Sequence, residues 1–317
     1  MNTKYRKADP KGLLSKNVAN GHNIIIDRKM LWSIAIVFSA ILLALNVVFE
    51  MQLSPRLFAK TEEELEQDLQ EAVFSEDGAL LPIQWADLGQ KMIADGVIDS
   101  TQMSQIMEQR GWTDDYSKEL LEGTVEGELK LTQENSGLIL NLLWAFGLAN
   151  KNTILETGPM VDPAYGGAGG FASTGGWSVS VGDSMDHYSR HEWIVLTDEQ
   201  QALVEEVAKN IYRPCCGNST YFPDCNHGMA MLGFLELMAA QGGSEEEMYE
   251  AALVLNSYWF PGTYLTIGKY FAKEGTDWED IDPKTALSAE FSSSAGYKNI
   301  LSTVEPSQAS GGGSCGV

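Results

Sequence analysis

Three of the four cysteines and one of the four histidines in this chain fall within thirteen residues, in the run Cys215-Cys216-Gly-Asn-Ser-Thr-Tyr-Phe-Pro-Asp-Cys225-Asn-His227. Thiolate sulfur and imidazole nitrogen are the donors a thiophilic cation takes at about 2.0–2.3 Å. The pattern Cys-Cys-x8-Cys-x-His supplies several of them, at a spacing unlike the paired Cys-x2-Cys of zinc fingers. Upstream, Met185-Asp-His187-Tyr-Ser-Arg-His191-Glu192 adds two imidazoles at i, i+4, which share a face if this piece is helical. The candidate donors are therefore Cys215, Cys216, Cys225, His227, His187 and His191, and the metals they suit are copper or zinc. Met185, Met229 and Met231 are soft and tilt the choice toward Cu(I), although Met231, Leu235 and Met238 also recur at the spacing of a buried helix face.

The same sulfurs permit other chemistry. On the oxidising side of a membrane, Cys215 or Cys216 paired with Cys225 would staple the loop, leaving an odd cysteine that Cys315 or another chain would match. Such a stapled domain would serve as an interaction or scaffold module. Alternatively, Cys225 beside His187 or His191 would form a thiolate–imidazolium pair suited to a thiol oxidoreductase. The heme-attachment pattern Cys-x-x-Cys-His is missing, and the glycine-rich run over 158–183 lacks the Lys-Ser/Thr of a phosphate loop, so neither covalently attached heme nor nucleotide is expected. Asn218-Ser-Thr220 matches a glycosylation sequon.

The cysteines need a turning loop between helices, and the sequence supplies one. Pro214, Gly217 and Pro223 stop helix continuation. Before the loop, Thr197-Asp-Glu-Gln200 caps a helix running to Tyr212. After it, a helix from about Gly228 to Gln241 stops at Gly242-Gly243, and Ser244-Glu-Glu-Glu247 caps another that ends at Phe260-Pro261. A weaker helix follows over Tyr264–Phe271.

Earlier helices are read at Thr61–Phe74, Trp85–Ala94, Thr101–Gln109 and Asp114–Leu121, with an apolar central core helix at Leu138–Leu148. The run 158–183, with Gly166-Gly-Ala-Gly-Gly170, reads as a long flexible loop or lid. Trp177-Ser-Val-Ser-Val181 is the best strand pattern. The fold class expected is mainly α: an N-terminal transmembrane helix, then an all-α globular domain carrying a long Gly-rich loop.

The membrane expectation comes from charge and hydropathy. The chain holds 21 Lys and Arg against 44 Asp and Glu, a balance that repels nucleic acid and anionic lipid surfaces and attracts cations. Residues 1–30 reverse that balance, with seven basic side chains against Asp9 and Asp27. Leu31–Phe49 follows, nineteen residues without a charge. At about 1.5 Å per residue that run matches a hydrocarbon core of about 30 Å. No small-residue cleavage site follows Asn46, and the run lacks the polar stripe of a core helix. The expected plan is a cytoplasmic basic tail (1–30), a single-pass anchor (31–49), an extracytoplasmic helical domain (50–305) and a disordered tail (306–317). The partners expected are the lipid bilayer, a metal ion and another protein, with no nucleic acid.

Pro214-Cys-Cys-Gly217, a further cysteine about ten residues on, and a helix leading to Gly242-Gly-Ser-Glu-Glu resemble exported bacterial proteins of the PCYCGC-motif family. Those are small anchored or lipid-linked proteins with clustered cysteines, and the resemblance implies metal binding at Cys215, Cys216, Cys225 and His227. It covers about 50 residues, and the alternating Cys-x-Cys-x-Cys of that family is absent.

Overall fold

The structure, a computed structural model, describes residues 28–57 and 62–304. The basic tail up to residue 27, Thr61 at the expected start of the first globular helix, and the tail over 306–317 with Cys315 lie outside the described residues. The chain divides into two compact units, 1–61 and 62–317.

The first unit contributes one helix, α1 (Arg28–Leu57). Its described apolar side chains, among them Leu31, Ile36, Phe38, Leu42 and Leu45, are exposed. No polar stripe separates them, as the uncharged sequence requires. Among the described residues no helix is long and apolar enough to cross a membrane. The described side chains of α1 run only from Leu31 to Asn46, with Ile34 left out, so they cover the Leu31–Phe49 run in part.

The second unit opens with α2 (Glu62–Val73) and then departs from the all-α expectation, because it contains a two-stranded antiparallel sheet. Strand β1 (Ala79–Ala86) buries Leu81, Ile83 and Trp85 and exposes the residues between them, the period-2 pattern of a half-buried strand. Trp85, expected to open a helix, ends this strand instead. Its indole N–H donates to the Leu120 carbonyl at 2.8 Å. Helices α3 (Leu88–Ala94), α4 (Ser100–Arg110) and α5 (Asp115–Glu122) follow, the last two capped by Asp99 and Asp114. Strand β2 (Val125–Leu131) pairs with β1 in the register Ala79↔Leu131 and Leu81↔Leu129. The register shifts around Pro82, which has no N–H to give.

Helix α6 (Ser136–Ala149) is buried on all sides and lies against α9 (Asn226–Ala240) at the centre of the unit. They touch through glycine: Gly147 faces the Met229 carbonyl, and Gly233 faces the Leu143 carbonyl. Around this pair stand α7 (Thr153–Thr157), α8 (Asp198–Asn210), α10 (Glu245–Trp259) and α11 (Pro261–Lys273). Both expected capping boxes form: Thr197 with Gln200 opens α8, and Ser244 with Glu247 opens α10. Three short helices, α12 (Pro283–Ala286), α13 (Ala289–Ser292) and α14 (Ser294–Leu301), come last among the described residues.

The glycine-rich run is not a free lid. Short 3-10 turns at Pro159–Val161, Pro163–Tyr165 and Ala168–Gly170 fold it onto the core, and the Thr174 hydroxyl donates to the Ala168 carbonyl. Trp144 donates to the Ser173 carbonyl at 2.7 Å, Trp177 donates to the Val97 carbonyl at 2.8 Å, and the two indoles meet edge to face. Trp177–Val181 forms no strand. Its alternation holds only as far as Val179, since Trp177 and Val179 are buried but Ser180 is buried and Val181 exposed, and it runs as a strap along 96–99, held by Asp99 N–H to Val179 O and Val181 N–H to Gly96 O.

Glu236, in α9, is the one fully buried acidic side chain among the described residues. Burial raises its carboxyl well above the usual range, against the pull of the Asn150 amide that donates to it at 2.6 Å. The fold therefore favours the neutral form, and that favour is complete below the ordinary carboxyl value near 4.5. As pH climbs above it, stability falls until the folded-state value is passed. Glu236→Gln removes this slope. Denaturation midpoints should show the variant gaining on the wild type as pH rises above the ordinary carboxyl value near 4.5. A gap that does not change with pH would contradict the assignment.

Candidate metal centre

The loop between α8 and α9 is built around one buried guanidinium. Arg213 is 1% exposed and reaches four acceptors: the Asn218 carbonyl at 2.9 Å, the Phe222 carbonyl at 3.0 Å, the Asp224 carboxylate at 2.6 Å and the Cys225 sulfur at 3.1 Å. A buried charge without partners would be prohibitive, so these four bonds fix the path of the loop. The Asn218 amide also donates to Asp224, at 2.8 Å. Neighbouring elements pin the outside: Tyr212 N–H donates to Leu287 O, Ser294 N–H to Cys216 O, and Ser173 N–H to Asp224 O. The short C-terminal helices and the glycine-rich strap therefore both buttress the loop.

The result brings three sulfurs together. The Sγ atoms of Cys215, Cys216 and Cys225 lie within 4.8 Å of one another, and Cys215 and Cys225 are 3.6 Å apart. All three are free thiols, with Cys215 exposed and the others half-buried. A disulfide needs sulfurs about 2.05 Å apart. By contrast, a tetrahedral zinc–thiolate site with bonds of about 2.3 Å has an S···S edge of about 3.8 Å.

The three thiols are electrostatically unequal. Cys225 caps the N-terminus of α9, where its sulfur accepts the Gly228 N–H at 3.5 Å. Hydrogen bonds from Cys215 and Cys216, then from His227, together with the charge of Arg213, outweigh burial and hold its pKa well below the ordinary thiol value. Cys215 carries the opposite burden: its hydrogen bonds to Cys216 and Cys225, and burial, push its pKa up. A hydrogen bond with Cys215 pulls Cys216 down, but the one with Cys225 and burial push it up to about 11. Cys225 is thus the readiest of the three to give up its proton, and a cation would have to displace the protons of the other two.

The histidines separate from this group. His227 is buried against Phe260 and Trp259, with Nδ1 3.0 Å from the Asn226 side-chain oxygen, and it supports Cys225 by a hydrogen bond without joining the three-sulfur cluster. His187 and His191 are also outside the cluster and contact each other. Met229 and Met231 are core residues. The parts played by Arg213, Asp224 and Gly228 leave little mark on the sequence. A Cβ on Gly228 would lie 2.5 Å from the Arg213 guanidinium carbon, so only glycine lets that group rest on the start of α9. The nearby Arg-Pro-Cys-Cys and Asp-Cys juxtapositions are the only sequence trace of it.

No family model matches the chain, and comparison with curated proteins and with solved structures gives no match either.

Proposed function

We propose that the domain beyond residue 61 binds a soft metal ion, Cu(I) or Zn(II), through Cys215, Cys216 and Cys225, for capture, transfer or sensing at a membrane surface. The observation that carries this reading is the convergence of three free sulfurs within 4.8 Å beside a buried arginine. Three thiolates complete a trigonal Cu(I) site, whereas a tetrahedral Zn(II) would keep a fourth position open to water or to a partner's donor. Arg213 acts from outside the ligand set, offsetting thiolate charge and orienting Cys225, as outer partners of metal ligands do. The exposure of Cys215 gives an ion a route in and out. The Pro214-Cys-Cys-Gly217 resemblance to exported cysteine-motif proteins supports the same reading. The uncharged Leu31–Phe49 run, preceded by basic residues, supports a tether with the N-terminus cytoplasmic and the domain outside.

Cys225 as a helix-capping thiolate 3.6 Å from Cys215 favours one alternative, a dithiol–disulfide couple. There, Cys225 would attack a substrate disulfide and Cys215 would then displace it, closing a Cys215–Cys225 bond and leaving two substrate thiols. Metal analysis and thiol counting on the purified full-length chain separate the two. The metal reading expects one equivalent of copper or zinc held by the sulfurs and lost in Cys216→Ser, with the thiols shielded from alkylation until a chelator is added. A metal-free protein whose Cys215 and Cys225 alone cycle with a disulfide reagent, unaffected by Cys216→Ser, would replace it with the redox reading.

A further inference from the structure

His187 and His191 stand apart from the sulfurs and have a geometry of their own. They are four residues apart yet not on one helix: a 3-10 turn at Ser184–Asp186 leads into a reversal at Ser189, whose φ is +52°. A non-glycine residue holds that conformation only where its surroundings enforce it. Here the N–H groups of Ser189, Arg190 and His191 donate at 2.9, 3.0 and 2.9 Å to the carbonyls of Leu148, Ala149 and Ala149. The Tyr188 hydroxyl is anchored on the Leu155 carbonyl at 2.7 Å. The turn therefore sets the two imidazoles edge to edge, their planes 21° apart, with His187 Nδ1 3.2 Å from His191 Nε2.

Each outer nitrogen faces an oxygen. His187 Nε2 lies 3.3 Å from the Val181 carbonyl, and His191 Nδ1 lies 3.6 Å from the Asp95 carboxylate. That carboxylate is itself held by the Trp193 indole N–H at 2.7 Å, while the Trp193 ring stacks on His191 at 7°. Oxygens at both outer positions favour the tautomers with hydrogen on His187 Nε2 and His191 Nδ1. The inner nitrogens then aim lone pairs at each other. Moving either hydrogen inward to bridge the rings turns a lone pair toward Val181 O or Asp95, so the pair calls for a positive charge between the rings.

We propose that His187 Nδ1 and His191 Nε2 form a second cation site, a two-imidazole site for a divalent metal of the Zn(II) or Cu(II) kind, whose other positions water would fill. The N···N separation of 3.2 Å matches the edge of a tetrahedral site with metal–nitrogen bonds of 2.0–2.1 Å, which is about 3.3 Å. The carbonyl and the carboxylate behind the rings are the outer partners that orient metal-bound histidines. A proton is the competing occupant. No cysteine takes part, so this site stands or falls separately from the thiolate cluster.

Zn(II) alone, titrated into the full-length chain at neutral pH by equilibrium dialysis and followed by imidazole nitrogen NMR, tests it. The wild type should bind one equivalent more than His187→Ala or His191→Ala, and Cys216→Ser should keep that equivalent. Zn(II) should shift His187 Nδ1 and His191 Nε2 in the unaltered protein, a readout that needs no variant to fold. Asp95→Asn, removing only the outer partner, should weaken this equivalent by about 10–100-fold. Equal stoichiometry in the histidine variants, or ring nitrogens that respond to pH and not to Zn(II), would overturn the proposal and leave a proton-sharing pair.

Discussion

Arg213→Leu is expected to cost the domain about 3–5 kcal/mol, the range for breaking a buried ion pair by removing one partner. Arginine at this position serves four acceptors from one planar group: the carbonyls of Asn218 and Phe222, the Asp224 carboxylate and the Cys225 sulfur. Leucine supplies none of the donors, so the carboxylate and a thiolate remain beside an apolar side chain and the loop must open to hydrate them. Arg213→Lys should recover part of the loss only, because a point charge cannot reproduce the fork that spans these acceptors. Chemical denaturation of wild type and both variants measures the stability, and the alkylation rate of Cys225 reports on the loop. If Arg213→Leu unfolds within about 1 kcal/mol of the wild type, the guanidinium is not what holds the sulfurs together.

The ease of reading this fold from its residues varied with how local the cause was. The caps of α8 and α10 are decided within four residues, Thr197 to Gln200 and Ser244 to Glu247, and both capping boxes form where the sequence places them. The convergence of Cys215, Cys216 and Cys225 was legible too, because Pro214, Gly217 and Pro223 leave little but a turning loop between two helices. Long-range causes were not. Trp85 starts a plausible helix by pattern, yet the pairing of β1 with β2, some forty residues on, claims it for a strand. The glycines over 158–183 suggest freedom, but what fixes that run is two tryptophan N–H groups and a threonine hydroxyl, with donors and acceptors distant in sequence or invisible to composition. His187 and His191 have helical spacing and meet through a strained turn at Ser189 instead. A buried arginine is the hardest feature to foresee, since arginine is ordinarily exposed and only its full set of partners makes the interior tolerable.

A comparable effect on the fold is expected from a single methyl group at the crossing of the two central helices. A Cβ on Gly147 would lie 2.2 Å from the Met229 carbonyl oxygen and 2.9 Å from the Gly233 nitrogen, both backbone atoms that cannot rotate aside. Gly147→Ala must therefore push α9 away from α6 along a contact where both helices are buried. The expected loss is about 3 kcal/mol or more, at or beyond the upper end for overpacking a core. The displacement would also travel to the cysteine loop, because Met229 N–H bonds the carbonyl of Cys225 at 3.0 Å and Cys225 caps the same helix. Gly217→Ala is the informative control: it lies inside that loop, but its Cβ would meet nothing within 4 Å, so its cost should be a few tenths of a kcal/mol. Thermal melts of the two variants should differ sharply, with thiol reactivity raised only in Gly147→Ala. If Gly147→Ala melts with the wild type, α6 and α9 are not in backbone contact, and the positioning of Cys225 by their packing fails with it.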